Sequence, residues 1–183
     1  MPVINALSDR FHPLQALADY MTIYEYFGQI SGLKISFIGD GSSNVANSLA
    51  IAGCKLGADV WIGTPKEFQP DKLVLDICGS RLHITEDPIE AASGAHVIYT
   101  DVRVSMGQEA EAERKKKILE RYQVNEELVK HADEDFIFMH CLPRHRGEEV
   151  TDDVFESEHS VVFDQAENRM RTAIAVFEDL ILR

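Results

Sequence analysis

Several things are scarce in these 183 residues, and each scarcity excludes something. There are only three cysteines, Cys54, Cys78 and Cys141, an odd number with no C-x-x-C spacing. A disulfide framework is therefore not expected, and reduced thiols are the default. No apolar run approaches the roughly 18 residues that a membrane span requires, and no basic n-region with an apolar core opens the chain. Basic charge is also short: 18 Lys and Arg face 31 Asp and Glu, a formal net charge of −13. Such a balance repels phosphate backbones and anionic membranes unless cations are gathered locally, so nucleic acid is not an expected partner. Internal repeats and low-complexity segments are missing too. What these absences leave is a soluble, cytoplasmic chain of one domain, since domains run roughly 100–200 residues.

What is present is an alternation. Short β-rich runs, KISFIG (34–39), ADVWIG (58–63), a weaker RLHIT (81–85), HVIYT (96–100), FIFMH (136–140) and SVVFD (160–164), are separated by helical patterns. Strands alternating with helices predict an α/β fold, a three-layer αβα, Rossmann-like doubly wound domain with a largely parallel sheet. Pro13 to Phe27 has Leu14, Leu17, Met21 and Tyr24 at helical spacing, with Pro13 suited to the first helical position. Glu109 to Tyr122 reads as a solvated helix with Glu111–Lys115 and Glu113–Lys117 at i,i+4. Ala166 to Leu182 places Met170, Ala173, Ile174, Phe177 and Ile181 on one stripe, which predicts a helix docked against something.

In a sheet of this kind ligands bind beyond the carboxyl ends of the strands. Those ends carry Gly39-Asp40-Gly41, Gly63-Thr64-Pro65, Asp101 to Met106, His140 to Arg146 and Asp164 to Arg169. GDGSSN (39–44) has the look of a dinucleotide loop, but Asn44 stands where the third glycine belongs and no acid closes the second strand. A turn that lets strand and helix meet is the simpler reading, with Asn44 offering an amide to a ligand carboxylate. His140, Cys141 and His145 lack zinc spacing, so neither a metal nor a cofactor is expected. A nucleophilic Cys141 is a third reading, yet neighbouring residues at a strand end point to opposite faces, so His140 is not its base. In DRFHPLQALAD (9–19), His12 and Gln15 sit beside a helix N-terminus, a place that favours oxygen-rich or anionic ligands.

Taken together, LSDRFHPLQALADYMTIYE (7–25), GDGSSNVANSL (39–49), DVRVSMGQE (101–109), HCLPRHRGEEVTDDVFES (140–157) and VVFDQAENRMR (161–171) resemble the ornithine carbamoyltransferase family. SMG with HCLP favours ornithine over aspartate as the second substrate. The resemblance implies carbamoyl transfer from carbamoyl phosphate to the δ-amine of ornithine, giving citrulline. It implies that His12 and Gln15 contact the carbamoyl group and that Arg169 helps to bind carbamoyl phosphate. Asn44, Asp101, Ser105 and Met106 would hold the amino-acid end of ornithine, while Cys141 and Leu142 lie where the two substrates meet. Arg144, His145 and Arg146 would form a supporting turn paired with Glu148 and Glu149. Two departures matter. The family's S-T-R-T-R type phosphate loop does not occur, so residues 1–183 are expected to be one ornithine-binding domain without the carbamoyl-phosphate-binding domain. Arg103 stands where the family usually has tryptophan, a replacement expected either to alter the loop that closes over ornithine or to be tolerated at an exposed position. Without the other domain the chain is expected to lack turnover, to take carbamoyl phosphate only with it, and to self-associate or need a partner domain.

Overall fold

The structure is a computed structural model that describes residues 3–103 and 112–181. A five-stranded sheet forms its middle: β1 (Lys34–Ile38), β2 (Asp59–Gly63), β3 (Leu82–Thr85), β4 (Val97–Thr100) and β5 (Ile137–His140). The order is β3-β2-β1-β4-β5 and every pairing is parallel. The predicted doubly wound α/β architecture is thus present.

Both faces of the sheet are covered, which is why its strands read as nearly continuous apolar runs. Ile35, Phe37, Val60, Ile62, Val97, Tyr99, Ile137 and Met139 enter one core. Ile38, Ile98 and Phe138, at the alternate positions, enter the other. Helices α1 (Pro13–Phe27), α2 (Asn44–Leu56) and α3 (Lys72–Cys78) pack on the first face through residues such as Tyr20, Leu49 and Val74. On the second lie α4 (Pro88–Ala92), α5 (Ala112–Leu119), α6 (Glu126–Val129) and α7 (Asp152–Phe155), through Ala91, Leu119, Leu128 and Phe155. The last helix, α8 (Val162–Ile181), runs along α1. No helix among the described residues is long and apolar enough to cross a membrane.

Helix α1 has the predicted bounds, opened by Pro13 and closed by Gly28 in the left-handed conformation at φ 68°. Three expectations need correction. SVVFD is not a strand: Ser160 makes one isolated bridge to Phe138, and α8 begins at Val162. Val161 goes to one core and Val162 to the other, so tertiary burial uses the β-branched residues without a ladder. The helix after residue 111 is not simply solvated, because Lys115 is buried and forms an ion pair with Asp40. The apolar stripe of α8 is not docked either: Met170, Ile174, Phe177 and Ile181 are exposed. Its buried residues are Val162, Gln165 and Asn168, so α8 is seated on α1 largely by carboxamides.

Candidate functional site

The chain leaves β1 for β2 on one side and later returns to β4 on the other, so the topological switch point lies between β1 and β4. Gly39-Asp40-Gly41 follows β1 there. Gly39 takes φ 138°, a region L side chains rarely adopt. A Cβ on Gly41 would fall 2.8 Å from the Ile62 side chain and 2.9 Å from the Phe68 carbonyl oxygen. Asp40 is satisfied locally: its Oδ1 accepts from the Ser42 amide at 3.0 Å and the Ser42 hydroxyl at 2.6 Å, and its other oxygen meets Lys115. The loop is a close-packed turn, and its carboxylate holds α5 to the sheet edge. Ser43 caps α2 by accepting from the Ala46 amide, while Asn44 donates to the Ser8 carbonyl at 2.8 Å. One N–H of the Asn44 carboxamide remains beyond that bond.

Across the switch point, β4 ends in Thr100, whose hydroxyl donates to the Ile38 carbonyl at 2.7 Å, and delivers Asp101. Next to it β5 delivers His140 and Cys141. The Cys141 thiol donates to Asp101 Oδ1 at 3.1 Å, and the Val102 amide donates to the same oxygen at 2.8 Å. Burial pushes the Asp101 carboxyl up, against the pull of His140 and of these donors. Burial, then the charge of Asp101 and the bond to it, push the Cys141 thiol well above its ordinary value. Cys141 therefore keeps its proton and serves as a donor, which argues against a thiolate nucleophile. What the pair presents is a carboxylate with a thiol beside it, a setting suited to an amine or ammonium group.

His140 faces away from Cys141. Its Nδ1 accepts from the Leu142 amide at 2.9 Å, which places the proton on Nε2, 3.3 Å from Glu149 Oε1. That same carboxylate oxygen accepts from the His145 amide at 2.7 Å. Burial works against the charge of Glu149, yet the adjacent His140 ring and bonds from backbone amides bring its carboxyl below the ordinary value. Leu142 is the non-glycine residue with positive φ, 57°, among those described, and the Leu142–Pro143 peptide is cis. A left-handed leucine is costly and is held here by the bond of its amide to His140 Nδ1. The basic turn does not pair as expected. Arg144 meets Asp152 at 2.5 Å and Glu156 at 3.3 Å, and Arg146 meets Asp152 at 3.2 Å. Glu148 is bound to Lys116 at 2.8 Å instead. Arg103 is not exposed: its guanidinium is buried and donates to the Glu148 carbonyl.

A second group of predicted residues gathers at the start of α1. The His12 amide donates to the Ser48 hydroxyl at 2.7 Å, and His12 Nδ1 is buried without a hydrogen-bond partner among the described residues. Burial and the nearby Arg169 guanidinium hold its imidazole below the ordinary value. Gln15 is buried and donates to Asp19 at 2.9 Å. Asp19 also accepts from Gln165 at 2.7 Å and from the Tyr99 hydroxyl at 3.3 Å, while Gln165 Oε1 accepts the His140 amide at 3.0 Å. Burial raises the Asp19 carboxyl to about 7 despite these donors and Arg169. The network thus joins Gln15 to Tyr99 of β4 and to His140 at the end of β5, and the Arg169 charge acts on both His12 and Asp19. Ser105 and Met106 lie outside the described residues.

Sequence reasoning missed Asp19, Tyr99 and Gln165, and it assigned Glu149 to the basic turn without its contact to the His140 ring. Signals existed: Asp19 stands four residues after Gln15 on an otherwise apolar face, and Gln165 four before Arg169. Among the described residues, His145, Glu148 and Glu149 are the group whose ligand atoms fall within 4.8 Å of one another. Glu148 and Glu149 are already engaged there by Lys116 and His140.

A parallel sheet with polar groups converging on its switch point defines a doubly wound α/β ligand-binding domain. Its residues 31–180 match the sequence profile of the aspartate/ornithine carbamoyltransferase Asp/Orn binding domain, and the chain belongs to that family. It is 58% identical to the ornithine carbamoyltransferase of Thermococcus kodakarensis, over 96% of this chain and 58% of the relative. With the anabolic ornithine carbamoyltransferase of Pyrococcus furiosus the identity is 57%, over 96% of this chain and 58% of that protein. The solved Pyrococcus furiosus enzyme superposes with a TM-score of 0.92 at 56% identity, covering 97% of this chain and 59% of that one. For the Thermus thermophilus enzyme the TM-score is 0.89 at 45% identity, with 99% and 59% covered. The chain therefore spans about three fifths of the length of the curated relatives it matches.

Proposed function

We propose that this chain is the ornithine-binding part of an ornithine carbamoyltransferase, and that it serves carbamoyl transfer in arginine biosynthesis in the cytoplasm. The observation that carries this reading is the Asp101 carboxylate bonded to the Cys141 thiol beside the switch point. Asp101 receives the α-ammonium of ornithine, and Asn44 offers its remaining N–H to the α-carboxylate, with Ser105 and Met106 from the following segment. Cys141 and Leu142 border the δ-amine.

The chemistry follows from charge. A neutral amine attacks the planar carbonyl carbon of carbamoyl phosphate, and negative charge grows on the carbonyl oxygen and on the departing phosphate. Fixed donors at that oxygen stabilise the transition state more than the ground state. His12 and Gln15 supply such donors, and Arg169 answers the phosphate. The Asp19–Gln165 network keeps Gln15 oriented. Carbamoyl phosphate binding needs the rest of the family's architecture, so this chain by itself binds ornithine without turning it over.

A second reading is a non-catalytic amino-acid-binding module, or a subunit that works with a separate partner domain. The observation that favours it is the exposed α8 stripe of Met170, Ile174, Phe177 and Ile181, an apolar surface of the kind that a second copy or a partner covers. Titration with ornithine and with aspartate, beside a citrulline assay containing carbamoyl phosphate, tests the first reading. The proposal expects ornithine binding, weaker or undetectable aspartate binding, and no citrulline from the chain alone. A preference for aspartate would overturn the substrate, and a full citrulline-forming rate would overturn the claim that more of the enzyme is required.

A further inference from the structure

Arg103 is a buried cation for which the proposed chemistry has no use. It stands two residues after Asp101, is 9% exposed, and donates from its guanidinium to the main-chain carbonyl of Glu148. Burying a guanidinium is costly unless its N–H groups meet fixed acceptors. A carbonyl as that acceptor makes the side chain a clasp on the backbone. Gln123 grips the same stretch, donating to the Gly147 carbonyl at 2.8 Å and to the Glu148 carbonyl at 3.2 Å. The peptide unit held in this way leads directly into Glu149, whose Oε1 lies 3.3 Å from His140 Nε2. His140 Nδ1 in turn accepts from the Leu142 amide at 2.9 Å, with Leu142 at φ 57°. Glu149 and His140 are each 1% exposed, so close packing leaves neither room to move without the other. The path from Arg103 to Leu142 is therefore a run of adjoining contacts that includes neither Asp101 nor Asn44.

We propose, on the ornithine reading given above, that Arg103 is a positioning residue for the δ-amine end of the substrate. Its clasp on the Glu148 carbonyl fixes Glu149, Glu149 fixes the plane of the His140 ring, and that ring holds Leu142 in the left-handed conformation beside the δ-amine. The α-ammonium and α-carboxylate are met by Asp101 and Asn44, which lie off this path. Arg103 thus helps to discriminate between amino acids by what stands at the δ position, without touching the ligand. Members of one network lose their effect together, so removing a second after the first costs little more. Lysine at this position keeps a donor for the carbonyl, as a single point instead of a planar fork.

The test titrates ornithine, and norvaline, which is ornithine without the δ-amine, into the 183-residue chain and its variants, and follows the Leu142 amide by hydrogen exchange. Arg103→Met should bind ornithine about tenfold more weakly and norvaline within about twofold of the parent, with faster exchange at Leu142. Arg103→Lys should recover most of the ornithine affinity. Glu149→Gln should repeat the ornithine-selective loss with Arg103 in place, which keeps the idea testable if Arg103→Met does not fold. The double variant should be no weaker than the weaker single one. Equal losses for the two ligands, unchanged ornithine affinity in Arg103→Met, or losses that multiply in the double variant overturn the proposal. A parent chain that binds ornithine no better than norvaline overturns the substrate reading instead. Unchanged Leu142 exchange in Arg103→Met overturns the path from Arg103 to Leu142 whatever the substrate is.

Discussion

Helix α1 packs against α2 and the sheet on one side and against α8 on the other, and the two seams are built from different materials. Toward α2 and the sheet, Tyr20 and Ile23 meet Leu49, Phe37 and Cys54 in a continuous apolar core. Toward α8, Asp19 receives Gln165 at 2.7 Å, and Asn168 donates to Thr22 at 2.9 Å and Glu25 at 2.6 Å. Apolar packing is tolerant of small rotations, whereas a buried carboxamide network is satisfied in one arrangement. The first seam holds the domain together. The second ties Gln15 through Asp19 and Gln165 to Tyr99 of β4 and His140 of β5, and it does so with α8's apolar stripe still facing outward.

The largest effect that separates the seams is expected from the apolar one. Phe37→Ala removes a fully buried ring and should cost about 3–5 kcal/mol in denaturant unfolding. If it costs less than Gln165→Ala, the division of labour drawn above is wrong. Gln165→Ala leaves Asp19 and the His140 amide short of partners, and about 1–3 kcal/mol is expected. Its mark should be local: faster hydrogen exchange and proteolysis in α8, with the sheet still protected.

Asp19→Asn sharpens the comparison through pH. The carboxyl is raised from 3.8 to about 7 in the folded chain, so the unfolded chain releases its proton first. The native carboxyl's contribution is therefore full below pH ~4 and lost as pH rises to ~7, with a slope of at most about 1.4 kcal/mol per pH unit. Asn keeps an oxygen for Gln15, Gln165 and Tyr99 but cannot ionise, so the variant should gain on the parent across that window and run parallel above it. Equal pH profiles for the two proteins would remove ionisation from the account of this seam. The smallest effect belongs to the exposed stripe. Ile174→Ser should change unfolding by no more than about 0.5 kcal/mol while reducing any concentration-dependent association in sedimentation.

Much of the frame was legible in the sequence because strands buried on both faces are apolar throughout, and all five were located to within a residue or two. SVVFD misled for the same reason: Val161 and Val162 are as buried as strand residues, but the chain turns into α8 between them. The candidate site was legible as residue types, since Asp101 and Cys141 at the strand ends, and His12, Gln15 and Arg169 on α1 and α8, bear the groups that polar ligand chemistry requires. What lay hidden was pairing over long separations. Nothing local ties Asp19 to Gln165, Lys115 to Asp40 or Arg144 to Asp152 and Glu156 rather than to the adjacent Glu148. Those partners are chosen by the folded sheet edge, where a buried charge or amide takes whichever complement the topology brings within reach.

The central claim is that the sheet edge carries a formed amino-acid site anchored by Asp101. The most direct test is calorimetric titration of ornithine into the parent chain and into Asp101→Asn, with both variants checked for equal melting temperature. The account predicts binding to the parent and a loss of at least about tenfold in the variant, as expected for removing the charge that meets an ammonium. Equal affinity for ornithine in the two proteins, or none in the parent, would contradict it.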